Sequence, residues 1–186
     1  SANTGKSVTV SGVGLTAADR VVFTTLDDTG AFGSVTVTPT VFNLAAQTLT
    51  VTVPVNATTG QVRLALDVAN AGLVLQIVPT ITDTSIADAG FPFTAGTVTI
   101  TLTGSGFAEN ATTALLGGPR VDDLDLLALG SANNLVEISA TNTRMTFKMA
   151  SIPAGTGLIR ISTVGGTSAA LDIGFTGTIG SAASGT

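Results

Sequence analysis

Val98-Thr99-Ile100-Thr101-Leu102-Thr103-Gly104-Ser105-Gly106-Phe107 is the stretch whose reading decides the fold. Apolar Val98, Ile100 and Leu102 alternate with Thr99, Thr101 and Thr103, the two-residue period of a strand with one face buried. Two glycines then break the strand, and Phe107 follows as an apolar anchor. The pattern recurs near the N-terminus as Val8-Thr9-Val10-Ser11-Gly12-Val13-Gly14-Leu15. Gly12 matches Gly104, Gly14 matches Gly106 and Leu15 matches Phe107, each 92 residues apart (104 − 12). The chain is therefore read as a tandem repeat, with two units in its 186 residues.

Working outward, further alternating stretches read as short strands: Asp19–Phe23, Ser34–Thr38, Thr48–Val53, Gln61–Leu66 and Leu73–Val78. Turn chemistry separates them, as in Leu26-Asp27-Asp28-Thr29-Gly30 and in Pro54 to Gly60. The second repeat answers with Arg144–Met149, a turn from Ile152 to Gly157, and Leu158–Ile161. Arg63 there aligns with Arg160 at an offset of 97 (160 − 63), so five extra residues (97 − 92) enter the second repeat. They are placed between Gly117 and Asn134, where Val121 to Leu127 loses strand alternation and suggests a short helical turn. Phe23, Phe32, Phe42, Phe107 and Phe147 are read as core, and Arg63 and Arg160 as facing outward.

Composition narrows the chemistry. Histidine, cysteine, tryptophan and tyrosine are absent, which removes Ser-His-Asp and Cys-His nucleophile systems, imidazole and thiolate metal ligands, and Trp or Tyr stacking platforms. The formal charge of −5 opposes nucleic-acid binding. Mean hydropathy is +0.55, yet every apolar run is interrupted far short of the ~20 residues of a spanning helix. Only 10% of residues are charged, fewer than a free monomer usually carries. That points to an outer surface covered by copies of the chain or by glycans. No enzyme activity is expected.

The candidate sites that remain are few. Asp27, Asp28, Asp122, Asp123 and Asp125 offer oxygen ligands of the kind calcium takes. They lack Asp-x-Asp-x-Asp-Gly spacing, and the preferred reading is that they are solvated turn formers. No cofactor is expected, with calcium the one alternative. Asn56-Ala57-Thr58 and Asn110-Ala111-Thr112 fit the N-glycosylation pattern, and in a threonine-rich chain such triplets also arise by chance.

The all-β reading becomes specific at Pro79-Thr80-Ile81, the glycines up to Gly96, and the Val98–Phe107 strand. Together these resemble the opening of an IPT/TIG immunoglobulin-like domain, with its "VTITGSGF"-type second strand. Val53-Pro54 to Gly60 and Ile152-Pro153 to Gly157 are similar to the family's later Val-Pro turn. The resemblance implies two tandem immunoglobulin-like β-sandwiches, 1–78 and 79–174, followed by a tail, 175–186. It also implies a module of the kind found in prokaryotic surface proteins, polysaccharide-acting enzymes and animal receptors.

Aligning the repeats adds one expectation. The second repeat has Pro79 to Phe93 ahead of its glycine-anchored strand, and the 92-residue offset leaves the first repeat nothing in that place. The first sandwich is expected to lack an edge strand, with Val8, Val10, Gly12, Gly14 and Leu15 at the gap. Phe175, Gly177 and Ile179 alternate in the tail, as a donor strand would. The functional expectation is a non-enzymatic, extracellular structural subunit, polymerising with itself head to tail by donor-strand complementation in a filament or surface layer. The alternative is a spacer or adhesive module of a larger surface protein or secreted polysaccharide-acting enzyme.

Overall fold

The computed structural model describes residues 1–67, 72–87, 98–124, 136–149 and 157–172. These residues form strands joined by turns, with no helix among them. In the first half the strands are β1 (Ser7–Ser11), β2 (Val21–Leu26), β3 (Phe32–Val37), β4 (Val41–Asn43), β5 (Thr48–Thr52), β6 (Gly60–Leu64) and β7 (Leu73–Leu75). The second half begins with β8 (Thr80–Ala87), β9 (Val98–Ser105), β10 (Thr113–Leu115), β11 (Arg120–Asp122) and β12 (Val136–Ile138). It continues with β13 (Arg144–Met149), β14 (Leu158–Thr163), β15 (Gly166–Thr167) and β16 (Leu171–Asp172).

All of these strand pairs are antiparallel. They build four sheets, ordered β1-β5-β4, β3-β2-β6-β7, β12-β13-β9-β8 and β11-β10-β14-β15, with β16 also on β14. The first two face each other across a core of Val21, Phe23, Val51, Val53, Ala57 and Ile77. The other two enclose a larger core around Ile100, Leu102, Phe107, Ile138, Phe147 and Ile161. Each half is thus a sandwich-like pair of sheets. Period-two alternation drives this, since one side of each strand turns apolar groups away from water at about 25 cal/mol per Å2 buried.

Two segments 92 residues apart share a backbone feature. Gly14 and Gly106 both hold positive φ, at 81° and 73°, where a side chain is strained. Leu15 and Phe107 then fold inward and are buried. β9 is central in its sheet, flanked by β13 and β8, whereas β1 has β5 on one side and no strand on the other among the described strands.

Several expectations change. Phe32 is 81% exposed, because it begins β3, which is the edge of its sheet; Phe42 is half-buried, while Phe23, Phe107 and Phe147 are core. Residues 120–122 are a strand instead of part of a helical turn, held by pairing with β10. The rest of that expected turn, from 125 onward, lies outside the described residues. The short β4 escaped the sequence reading because three residues carry too little alternation to recognise.

Candidate functional site: an open sheet edge and the joint between halves

β1 presents its free edge beside an apolar groove of about 260 Å3. One wall is Val8 and Val10, and the other is built from Val62, Leu64, Leu73 and Leu75 of β6 and β7. Val8 and Val10 stand at the positions of Ile100 and Leu102, 92 residues on. In the second half those counterparts are fully buried, at 0% exposure each, whereas Val8 and Val10 are only half-buried. The difference has a visible source, since β8 covers the corresponding edge by pairing with β9 from Thr80↔Ser105 to Ala87↔Thr99. Exposed Leu73 and Val74, 81% and 70% accessible, extend the apolar surface along β7.

Of the five residues expected at the gap, Val8 and Val10 line the groove. Gly12 and Gly14 lie just past the end of β1, where the Gly14 N–H donates to Gln47 Oε1 at 2.8 Å. Leu15 turns inward to 4% exposure and packs against Gly12, so it offers nothing to the groove. Arg63, expected on an outward face, borders the groove and is half-buried. Its Nη1 donates to the Leu64 carbonyl at 3.3 Å. Sequence reading missed the facing wall, although the unbroken apolar run Leu73-Val74-Leu75 was a signal for it. Phe175, Gly177 and Ile179 lie outside the described residues.

A second cluster joins the halves. The Asn142 side-chain amide donates to the carbonyls of Leu26 at 3.0 Å and Asn56 at 3.1 Å. Ala2 forms a parallel bridge with Ile77, its N–H donating to Gln76 O and its carbonyl accepting from Val78 N–H, both at 2.9 Å. The Thr4 hydroxyl hydrogen-bonds to that of Ser105, which also meets Thr80 Oγ1 at 2.7 Å. Gly165 approaches so closely that a Cβ there would lie 1.9 Å from the Ile77 carbonyl oxygen. Nothing in the strand pattern announced Asn142; its φ of 57° marks a turn position that asparagine tolerates.

The carboxylates are engaged by the protein. Asp27 Oδ1 accepts the Thr29 hydroxyl at 2.7 Å and the N–H groups of Thr29 and Ala31 at 2.9 Å each. The Thr29 hydroxyl, then the Ala31 and Thr29 amides, hold its pKa below the ordinary value. Asp28 is an exposed neighbour in the same turn. Asp122 takes Arg120 Nε and Nη2 and the Thr113 hydroxyl, and Arg120 followed by Thr113 lowers its pKa. Asp123, 2% exposed, accepts the Asn110 N–H at 2.7 Å, and Asp125 lies outside the described residues. Among the described residues no three Asp or Glu side chains gather as metal ligands would.

Both glycosylation triplets sit in turns. Asn110 is exposed and Asn56 half-buried, but their threonines, Thr58 and Thr112, are 4% and 1% exposed. Thr112 Oγ1 is tied to Ala108 through donation to its carbonyl at 2.7 Å and acceptance of its N–H at 2.8 Å. No helix among the described residues is long and apolar enough to cross a membrane.

No family model and no curated protein matches this sequence. One solved structure aligns with 91% of the chain at 23% identity and a TM-score of 0.36: SGBP-B from a complex xyloglucan utilization locus in Bacteroides uniformis. The chain spans 45% of that protein's length.

Proposed function

We infer that this chain is a non-enzymatic structural module of an extracellular surface protein, in which two tandem immunoglobulin-like units of IPT/TIG type act as a stiff spacer or adhesive module. The observation that carries this reading is the joint. Asn142, buried in the second half, reaches two carbonyls of the first, while Ala2, Ile77 and Val78 knit the connecting segment to the N-terminal residues. A flexible tether would spare these bonds, and buried polar groups of this kind restrain relative motion because leaving them unpaired is costly. The absence of histidine and cysteine from the sequence and the engagement of Asp27 and Asp122 by their own turns support a role without catalysis or cofactor.

Small-angle X-ray scattering tests this. One extended shape, unchanged by salt, is expected; a broad distribution of inter-unit distances overturns the spacer reading. A second reading, a homopolymer formed by strand donation, is favoured by the free edge of β1 beside its apolar groove.

A further inference from the structure

Gly12, just past β1, and Gly104, next to last in β9, hold matching positions 92 residues apart, and their surroundings differ. A Cβ at Gly104 would lie 1.9 Å from the Thr80 carbonyl oxygen of β8, so glycine is what lets β8 pass alongside. At Gly12 a Cβ would meet nothing among the described residues nearer than the Leu15 side chain at 3.8 Å. Gly12 is not among the positive-φ residues either. Neither its backbone conformation nor the described residues around it call for glycine there, and glycine weakens a strand. Gly14 is different, because its φ of 81° is sufficient reason. The half-buried state of Val8 and Val10 and the groove beside them repeat the contrast along the length of β1.

We propose that the β1 edge and its groove take an antiparallel strand from residues 173–186 of a second copy of this chain, with Gly12 kept small for the backbone of that strand. This deepens the homopolymer reading and rests on it. The chain already contains one such event. Leu75-Gln76-Ile77 leads out of the first half, and Thr80, three residues after Ile77, starts the eight-residue β8 that pairs with β9. Leu171-Asp172-Ile173 matches it at the leucine and the isoleucine, with Asp172 in place of Gln76, at an offset of 96 (171 − 75 and 173 − 77). The same spacing aligns Thr176 with Thr80, the first residue of β8. In an extended strand Phe175, Gly177 and Ile179 share a side, which suits a groove walled by Val8, Val10, Leu64 and Leu75. Donor segment and acceptor edge are different parts of the chain, so the association is heterologous and runs head to tail.

The test is sedimentation velocity of the full chain over a wide concentration range, beside Gly12→Val, with hydrogen exchange read at the β1 amides. Wild type should form higher-order species in which the amides of Val8 to Val10 gain protection. Gly12→Val should melt like the wild-type monomer yet associate at least about tenfold more weakly. If Gly12→Val does not fold as the wild type does, Val10→Lys on the groove wall serves instead and should weaken association likewise. A wild type that stays monomeric at every concentration overturns the proposal. So does protection, in the monomer, of the β1 amides that are not bonded to β5, which would make the occupant the chain's own segment, or unimpaired assembly by the folded variant. Scattering read on the non-associating Gly12→Val or Val10→Lys monomer reports stiffness independently of assembly, so the spacer reading stands or falls separately.

Discussion

Asn142 of the second half donates its side-chain amide to the Leu26 carbonyl of the first at 3.0 Å, across 116 residues of sequence. The same amide serves the Asn56 carbonyl, so one buried side chain closes two acceptors of another unit. Its backbone, at φ 57°, sits at the turn entering β13. Gln47, at φ 50°, occupies the corresponding turn before β5, but its side chain stays within the first half on Gly14.

Asn142→Gly should therefore lower stability by about 2 kcal/mol, the loss of two buried hydrogen bonds, without backbone strain. Asn142→Ala adds strain at positive φ of about 1 kcal/mol. Asn142→Asp should be worst, because a carboxylate would face two carbonyl oxygens. Thermal melts rank the three, and scattering should show the joint loosening in each.

Gly104→Ala should destabilise by about 3 kcal/mol, as a methyl cannot occupy a point 1.9 Å from the Thr80 carbonyl oxygen without displacing β8. Gly12→Ala, with open space around it, should stay within about 0.5 kcal/mol of wild type in the monomer. Denaturant titration measures both, and equal costs would mean the two strand ends are not the contrasting environments described.

Ile100→Ala should cost about 3–4 kcal/mol, since the side chain is fully buried between sheets. Val8→Ala, at the matching position but half-buried in the open edge, should cost about 1 kcal/mol or less. The ratio, read from urea midpoints, reports how much of the first core is left uncovered in the monomer.

Acid should weaken the fold through Asp27 and Asp122. Hydrogen bonds from Thr29 to Asp27 and from Arg120 to Asp122 hold both folded pKa values below the ordinary aspartate value, so the folded state favours the ionised form. Their contribution is present above the unfolded pKa and is lost as pH falls through the folded value. Melting temperature should drop below about pH 4, and Asp122→Asn should flatten part of that drop. An identical acid profile in the variant would remove Asp122 from the account.

Calcium and chelator should leave the melting temperature unchanged, because the Asp27 and Asp122 oxygens already accept protein donors and a Ca2+ ion needs six to eight oxygens. A calorimetric titration with heat at stoichiometric calcium would contradict this.

Much of the architecture could be read from local pattern. Alternation in Val98–Leu102 and Val8–Val10 is a property of neighbouring residues, and burying one face of such a strand needs no knowledge of its partner. The glycines at 14 and 106 act through their own φ, so their turn was readable too. Phe32 was misread because exposure depends on whether a neighbour strand lies beyond β3, which its own residues do not encode.

What belongs to tertiary structure is everything carried between distant segments. The facing wall of the groove comes from β6 and β7, over fifty residues from β1. The Asn142 bridge spans the units, and the Gly12–Gly104 contrast appears only when the space around each backbone is known. Sequence by itself determined many of the strands and turns and the absence of histidine and cysteine, because those depend on residue type and short-range geometry. Only the assembled sheets decided which edge is open and how the halves lock, because hydrogen bonding and steric exclusion act through space.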